Sequence, residues 1–223
     1  PESCFIAKRT FSQSLSVSSI IGYILGLGDR HPSNILIRTS SASLVHIDLG
    51  IAFEQGRYLA CPEIVPFRLT RDMVHALGPY GLSTKFTKCG KLALQSLMNY
   101  KEVVETLLQT FLHDPLFNWC LTPEQLVQFE KKRQKYAIQN NSEIDISMSL
   151  SLKSNQNEKT TGGTNFATEI TQQMATKVID KVRRKLQGYD HSGHGSISQN
   201  AGYSLDAIIE QLINIARLSS KAI

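Results

Sequence analysis

Several absences narrow this 223-residue sequence before any motif does. It has no unbroken run of the ~20 apolar residues that a membrane-spanning helix needs. Its four cysteines, Cys4, Cys61, Cys89 and Cys120, are widely spaced and form no C-x-x-C pair. That excludes a disulfide framework and a cysteine zinc site, and it fits reduced thiols of the cytosol or nucleus. The formal charge of +5 is modest, and the basic residues do not gather into one block. The densest groups, Lys131-Lys132-Arg133 and Lys181-Val182-Arg183-Arg184-Lys185, fall where helices are expected. They read as solvated faces, so direct DNA binding is not inferred from them. There is no initiator methionine and no signal segment. The chain starts in mid-pattern and is expected to be a fragment of something longer.

What is present is concentrated early. Gly28-Asp29-Arg30-His31-Pro32-Ser33-Asn34 puts an acid, an imidazole and an amide on one short loop. Val45-His46-Ile47-Asp48-Leu49-Gly50 puts a second acid at the end of an apolar run. Phosphoryl transfer from ATP needs a group that takes or orients the hydroxyl proton, and side-chain oxygens that hold magnesium. Asp29 and His31 suit the first task, and Asn34 and Asp48 the second. Turn and cap preferences explain any one of these four residues, but they explain all four together poorly.

The flanking pattern extends the reading. Val17, Ile20, Ile21, Ile24 and Leu25 mark a helix with one buried face, broken by Gly26 and Gly28. Residues 34–38 and 44–47 read as two strands of a hairpin whose turn is 39–43. Asn34 and Asp48 would then stand together at its open end. Residues 50–69 read as a long functional loop. Thr70 caps a short helix that stops at Gly78. Further helices are expected at 86–98 and 102–112, and from the Thr122-Pro123-Glu124-Gln125 start to about Ala137. Residues 139–165, rich in Ser, Asn, Thr and Gln, are expected to be disordered. Phe166, Ile170, Met174, Val178 and Val182 then recur every fourth residue, and Leu205, Ile208, Ile209, Leu212, Ile213 and Ala216 form a last amphipathic helix. His46, alternating with Val45 and Ile47, reads as structural. His191 and His194 have no fixed acidic or thiol partner and are not read as a metal site. Arg30 has two readings: a contact with the activation loop, or a pairing with a structural carboxylate.

Gly26-Leu27-Gly28-Asp29-Arg30-His31-x-x-Asn34 with Ile47-Asp48-Leu49-Gly50 resembles the catalytic and activation segments of the phosphatidylinositol 3-kinase-related protein kinases. Phe53-Glu54-Gln55-Gly56, Pro62-Glu63 and Val65-Pro66-Phe67-Arg68-Leu69-Thr70-Arg71-Asp72 continue it, and Asp114-Pro115-Leu116-Phe117-x-Trp119 extends it more loosely. The resemblance implies an ATP-dependent serine/threonine kinase of α+β, mainly helical fold, acting on Ser/Thr-Gln sites. Asp29 and His31 would be catalytic. Asn34 and Asp48 would bind the nucleotide through magnesium, or manganese in its place. It further implies a nuclear protein of the DNA-damage response and cell-cycle control, with damage sensors as partners and no membrane.

On this reading residues 1–138 are a kinase C-lobe, with a catalytic loop at about 27–35 and an activation loop at about 47–70. A linker (139–165), a regulatory helix (166–188), a second linker (189–202) and a partial FATC-like helix (203–223) follow. The last of these resembles the family's FATC motif at Ile209-x-x-Leu212-Ile213-x-x-Ala216, without its aromatic tail. No glycine-rich phosphate loop and no strand lysine precedes Asp29. The phosphate-binding N-lobe would therefore belong to the rest of the same chain, and the 223 residues alone are expected to be inactive. Three rivals remain. A lipid kinase shares the loop, but between Asp48 and Pro66 this chain has only Arg57 as a cation to meet inositol phosphates. A truncated, non-catalytic binding fragment is the second. A small-molecule phosphotransferase is the third, and the long pattern from Phe53 to Asp72 speaks against it.

Overall fold

The computed structural model describes residues 2–59, 62–63, 65–112, 163–189 and 204–219. Among these the protein is mainly helical with one two-stranded sheet. Helix α1, Glu2–Leu25, is the central strut. Its buried face is Phe11, Leu15, Ile20, Tyr23 and Ile24 together with Ser12, Ser16 and Ser19. Of the expected stripe, Ile20 and Ile24 are buried, whereas Val17 and Ile21 are exposed. The face is rotated because small residues set the helix crossing. Ser16 Oγ donates to Phe86 O at 2.6 Å. A Cβ on Gly90 would meet that Oγ at 3.1 Å and Ile20 at 3.5 Å. Serine and glycine thus let α1 lie close against helix α3, Thr87–Asn99.

Strands β1 (Ile35–Ile37) and β2 (Leu44–His46) pair antiparallel in the register Ile35↔His46, Leu36↔Val45, Ile37↔Leu44. The backbone N–H of Leu44 donates to Ser14 Oγ at 2.9 Å and ties the hairpin to α1. Leu44 is buried in the core, while Leu36, Ile37, Ile47 and Leu49 are exposed. Helix α2, Arg71–Leu77, starts as expected, with Thr70 Oγ1 accepting from Met73 N at 3.2 Å, and ends at Gly78 with φ +82°. A π-turn, Leu82–Phe86, leads into α3, and α4 spans Lys101–Leu112.

Helix α5 spans Gly163–Leu186, so residues 163–165, expected within the polar linker, form its first turn. Helix propagation is cheap once the helix is nucleated, so a helix anchored further along extends through a polar turn. Its Val182 and Leu186 are buried, and it packs against α4 and α1. Helix α6, Leu205–Ser219, buries Ile209, Leu212, Ile213 and Ala216 against α3. Lys91 of α3 pairs with Asp206 at its start at 2.5 Å. The core therefore joins α1, α3 and both late helices in one cluster. The helix expected over 122–137, most of the 139–165 linker and the 189–202 linker beyond Tyr189 lie outside the described residues.

Candidate active site

Three backbone hydrogen bonds lay the loop after α1 alongside the segment after Asp48. Phe53 N donates to Leu25 O at 2.8 Å, Glu54 N to Gly26 O at 2.9 Å and Gly28 N to Ile51 O at 2.9 Å. Two glycines make this approach feasible. Gly26 sits at φ +59°, and a Cβ there would lie 2.6 Å from Glu54 N. A Cβ on Gly28 would lie 2.8 Å from Glu63 Oε2 and 3.0 Å from Gly56 Cα.

Asp29 and Asp48 both occupy the left-handed region, at φ 56° and 53°. That conformation is uncommon outside glycine, and Asp and Asn tolerate it best. Each carboxylate is thereby turned out of the regular backbone path. The Asp29 N–H donates to Glu63 Oε2 at 2.7 Å. Asn34 is buried, and its Nδ2 donates to Asp29 O at 2.9 Å and approaches Asp29 Oδ2 at 3.4 Å. With its amide nitrogen committed, Asn34 keeps Oδ1 as its available end. His31 Nδ1 accepts from Ser33 N at 3.2 Å. In the neutral ring the proton therefore sits on Nε2, which faces Asp29 Oδ1 at 3.8 Å. That pair is half-exposed, at 48% for His31 and 40% for Asp29.

Asp48 joins the group through the hairpin. Ile47 N donates to Asn34 O at 3.0 Å and extends the ladder past β2. Asn34 and Asp48 thus stand at the same open end, as the turn pattern predicted. Asp48 Oδ1 accepts weakly from Gly50 N at 3.4 Å and the residue is exposed. The two side chains offer hard oxygen donors. Among the described residues no cluster of three or more His, Cys, Asp and Glu forms a protein-only metal cage. An amide oxygen and a carboxylate that leave most positions to phosphate and water suit magnesium.

Two features go beyond the sequence reading, which left Arg30 with two alternatives and did not single out a role for Glu54. Arg30 is buried and donates to three carbonyls: Nε to Gly28 O at 2.8 Å, Nη1 to Ile47 O at 2.9 Å and Nη2 to Asp48 O. It contacts the backbone of Ile47 and Asp48, where the expected activation loop would begin, and no carboxylate pairs with it among the described residues. Burial, then the charge of Arg30, lowers the pKa of His46 and keeps that ring neutral. The second feature is Glu54. Its Oε1 takes Lys185 Nζ at 2.8 Å, and its Oε2 lies 3.3 Å from Arg57 Nε and 3.5 Å from Lys181 Nζ. Burial alone would raise its pKa. The charge and hydrogen bond of Lys185, with Arg57 and Lys181, overcome that and hold it at about 2. Lys185 also donates to Tyr23 O at 2.7 Å and lies 4.7 Å above the Tyr23 ring. Nothing local in the Phe53-Glu54-Gln55-Gly56 run announces a partner on a helix so far along the chain. Between these elements lies a shallow, solvent-open cleft whose lining includes Gly28, Glu63, Arg57 and Lys185.

Comparisons with known proteins identify the family. Residues 1–121 match the family described as phosphatidylinositol 3- and 4-kinase. The chain is 36% identical over 219 residues to the serine/threonine-protein kinase ATM of Arabidopsis thaliana and 34% identical to the serine-protein kinase ATM of Sus scrofa. Each match covers 98% of this chain, which spans only 5% and 7% of those relatives. Over 121 residues it is 48% identical to the serine/threonine-protein kinase TEL1 of Cryptococcus neoformans, covering 54% of this chain and 4% of that relative. The solved FAT and kinase domain of CtTel1 covers the whole chain at a TM-score of 0.67 and 29% identity, and the chain covers 12% of it. The chain belongs to the phosphatidylinositol 3- and 4-kinase family, and within it resembles the ATM and Tel1 kinases.

Proposed function

We propose that this chain supplies the catalytic and metal-binding half of a serine/threonine protein kinase that transfers the γ-phosphoryl group of ATP to a Ser or Thr followed by Gln. The observation that carries the reading is the gathering of Asp29, His31 and Asn34 on one loop, with Asp48 set beside Asn34 by the Ile47–Asn34 backbone bond. Asp29, half-exposed and rigidly held through its N–H and carbonyl, orients the attacking hydroxyl and receives its proton. His31, with Nε2–H directed at the same space, stabilises charge that develops on the transferring group. Asn34 Oδ1 and the Asp48 carboxylate hold magnesium, which offsets charge on the phosphate oxygens. Leu36, Ile37, Ile47 and Leu49 are exposed apolar side chains on and just after the hairpin. On this reading the phosphate-binding N-lobe is supplied by the rest of the same chain, so the 223 residues alone are expected to transfer no phosphate. A nuclear role in DNA-damage signalling and checkpoint control, with damage sensors as partners, belongs to the proposal through the resemblance to ATM.

The test is phosphate transfer by the full-length protein to a Ser-Gln peptide, a Ser-Ala peptide and phosphatidylinositol vesicles, beside an Asp29→Asn variant. Transfer to the Ser-Gln peptide alone, abolished in the variant, is expected. Transfer to the vesicles alone would establish the lipid-kinase reading, which the family's description favours.

A further inference from the structure

Asp29 and Asp48 share the left-handed backbone conformation, which persists only where the surroundings fix it. For Asp29 both backbone sides are fixed, its N–H by Glu63 and its carbonyl by Asn34. Asp48 has little help from its own side chain, whose one hydrogen bond among the described residues is the 3.4 Å contact with Gly50 N. Its backbone is held instead from the carbonyl side. The Arg30 guanidinium donates to Asp48 O and, at 2.9 Å, to Ile47 O. The same group donates from Nε to Gly28 O at 2.8 Å, next to Asp29. Arg30 is 7% exposed, and its charge meets no carboxylate among the described residues. A buried charge without an anion is costly. Three carbonyls lower that cost, and a planar fork is suited to reach all three at once.

We propose that Arg30 is a positioning residue for magnesium: by tying the Asp48 carbonyl to the catalytic loop, it fixes the Asp48 carboxylate beside Asn34 before the metal arrives. The proposal rests on the kinase reading of this site and deepens it. The action is geometric and runs against the charge of Arg30. A buried cation bonded to Asp48 O repels a divalent cation held by the same residue. Loss of the fork releases Asp48 from its conformation, and a group that orients a metal ligand is worth about ten- to hundredfold in affinity. Geometry therefore predicts weaker magnesium binding without Arg30, whereas charge alone predicts tighter binding. Magnesium also demands near-ideal octahedral geometry, and calcium accepts a flexible one. A displaced carboxylate should consequently cost magnesium more than calcium.

The test is equilibrium binding of ATP to the full-length protein, titrated with magnesium and separately with calcium, for the wild type, Arg30→Met and Arg30→Lys. Both variants should raise the magnesium concentration at half-saturation by about tenfold or more, and the calcium value by less. The amount of ATP bound at saturating metal should stay the same. A merely structural role would lower that amount and leave the midpoints in place. Arg30→Lys keeps the charge and loses the fork, so it should bind magnesium no better than Arg30→Met. Unchanged or lower magnesium midpoints in the folded variants, or equal shifts for both metals, would overturn the assignment while leaving the kinase reading standing. If neither variant folds, hydrogen exchange of the wild type decides. Residues 45–48 should already exchange slowly without metal and change by less than about threefold when magnesium and ATP are added. A large gain in protection on loading would show that the metal organises the segment, and would overturn the proposal. Failure of the wild type to bind ATP with magnesium would overturn both readings.

Discussion

Replacing Glu54 by Gln tests whether the late helix α5 holds the segment 51–57 in place. Glu54 is largely buried, and its carboxyl is held at about 2 against an ordinary 4.5. At about 1.4 kcal/mol per pKa unit, that difference is worth on the order of 3 kcal/mol. The sign follows from the direction. A pKa below the unfolded value contributes stability that is complete above about 4.5 and is lost as the pH falls toward about 2. The contribution is therefore constant across the neutral range. Gln keeps an acceptor for Lys185 but removes the charge, leaving a largely buried ammonium with uncharged partners alone, the amide oxygen, Tyr23 O and the Tyr23 ring. Breaking a buried pair costs ~3–5 kcal/mol when no acceptor remains; with the amide in place, about 2–3 kcal/mol is expected. Hydrogen exchange reads this locally, because it reports the opening free energy segment by segment. Protection of residues 51–57 and 181–186 should fall together by about 30- to 100-fold in Glu54→Gln. Lys185→Met should have the same effect, and the double variant should lose less than the sum. Unchanged protection, or a loss confined to 51–57 with α5 intact, would refute the reasoning.

Asp29→Asn should leave magnesium–nucleotide binding nearly intact and cut turnover by about 10²–10⁴-fold, whereas Asp48→Asn should weaken that binding first; nucleotide titration beside turnover checks the assignment. Arg30→Lys should not rescue the loss seen in Arg30→Met, since only the planar fork reaches the Gly28, Ile47 and Asp48 carbonyls, and exchange across 28–31 and 47–48 should rise in both. Gly26→Ala should destabilise by about 1–3 kcal/mol or more, from a left-handed alanine whose Cβ meets Glu54 N, read as increased exchange of residues 25–28 and 51–54. Arg68 Nε is the buried side-chain polar atom without a partner among the described residues, so Arg68→Met should be neutral or stabilising in thermal unfolding.

The short-range features were readable because their causes are short-range. Thr70 and Gly78 bound α2 through a hydroxyl cap and a positive φ, and both are properties of single residues. The Asn34–Asp48 proximity follows from one hairpin, in which Ile35 pairs with His46. The rest depends on what α1 meets in space. No periodicity shows that Ser16 and Gly90 set a close crossing and turn Val17 and Ile21 outward. Arg30 was ambiguous because backbone carbonyls, its actual partners, carry no residue identity. The Glu54 cluster was invisible because its two lysines come from a helix that sequence shows only as an amphipathic stripe with a basic face.

The Lys185–Glu54 pair also has a meaning in the order of synthesis. At ~5–20 residues per second, Glu54 leaves the peptidyl-transferase centre on the order of ten seconds before Lys185 exists. Throughout that interval the nascent activation segment carries a carboxylate whose principal counter-charge has not been made. A premature stop codon upstream of Lys181 would spare Asp29, His31, Asn34 and Asp48, yet the product would emerge with that carboxylate permanently without its two lysines. Late nonsense alleles of such a gene should therefore behave as loss-of-function, although every motif of the active site is still encoded.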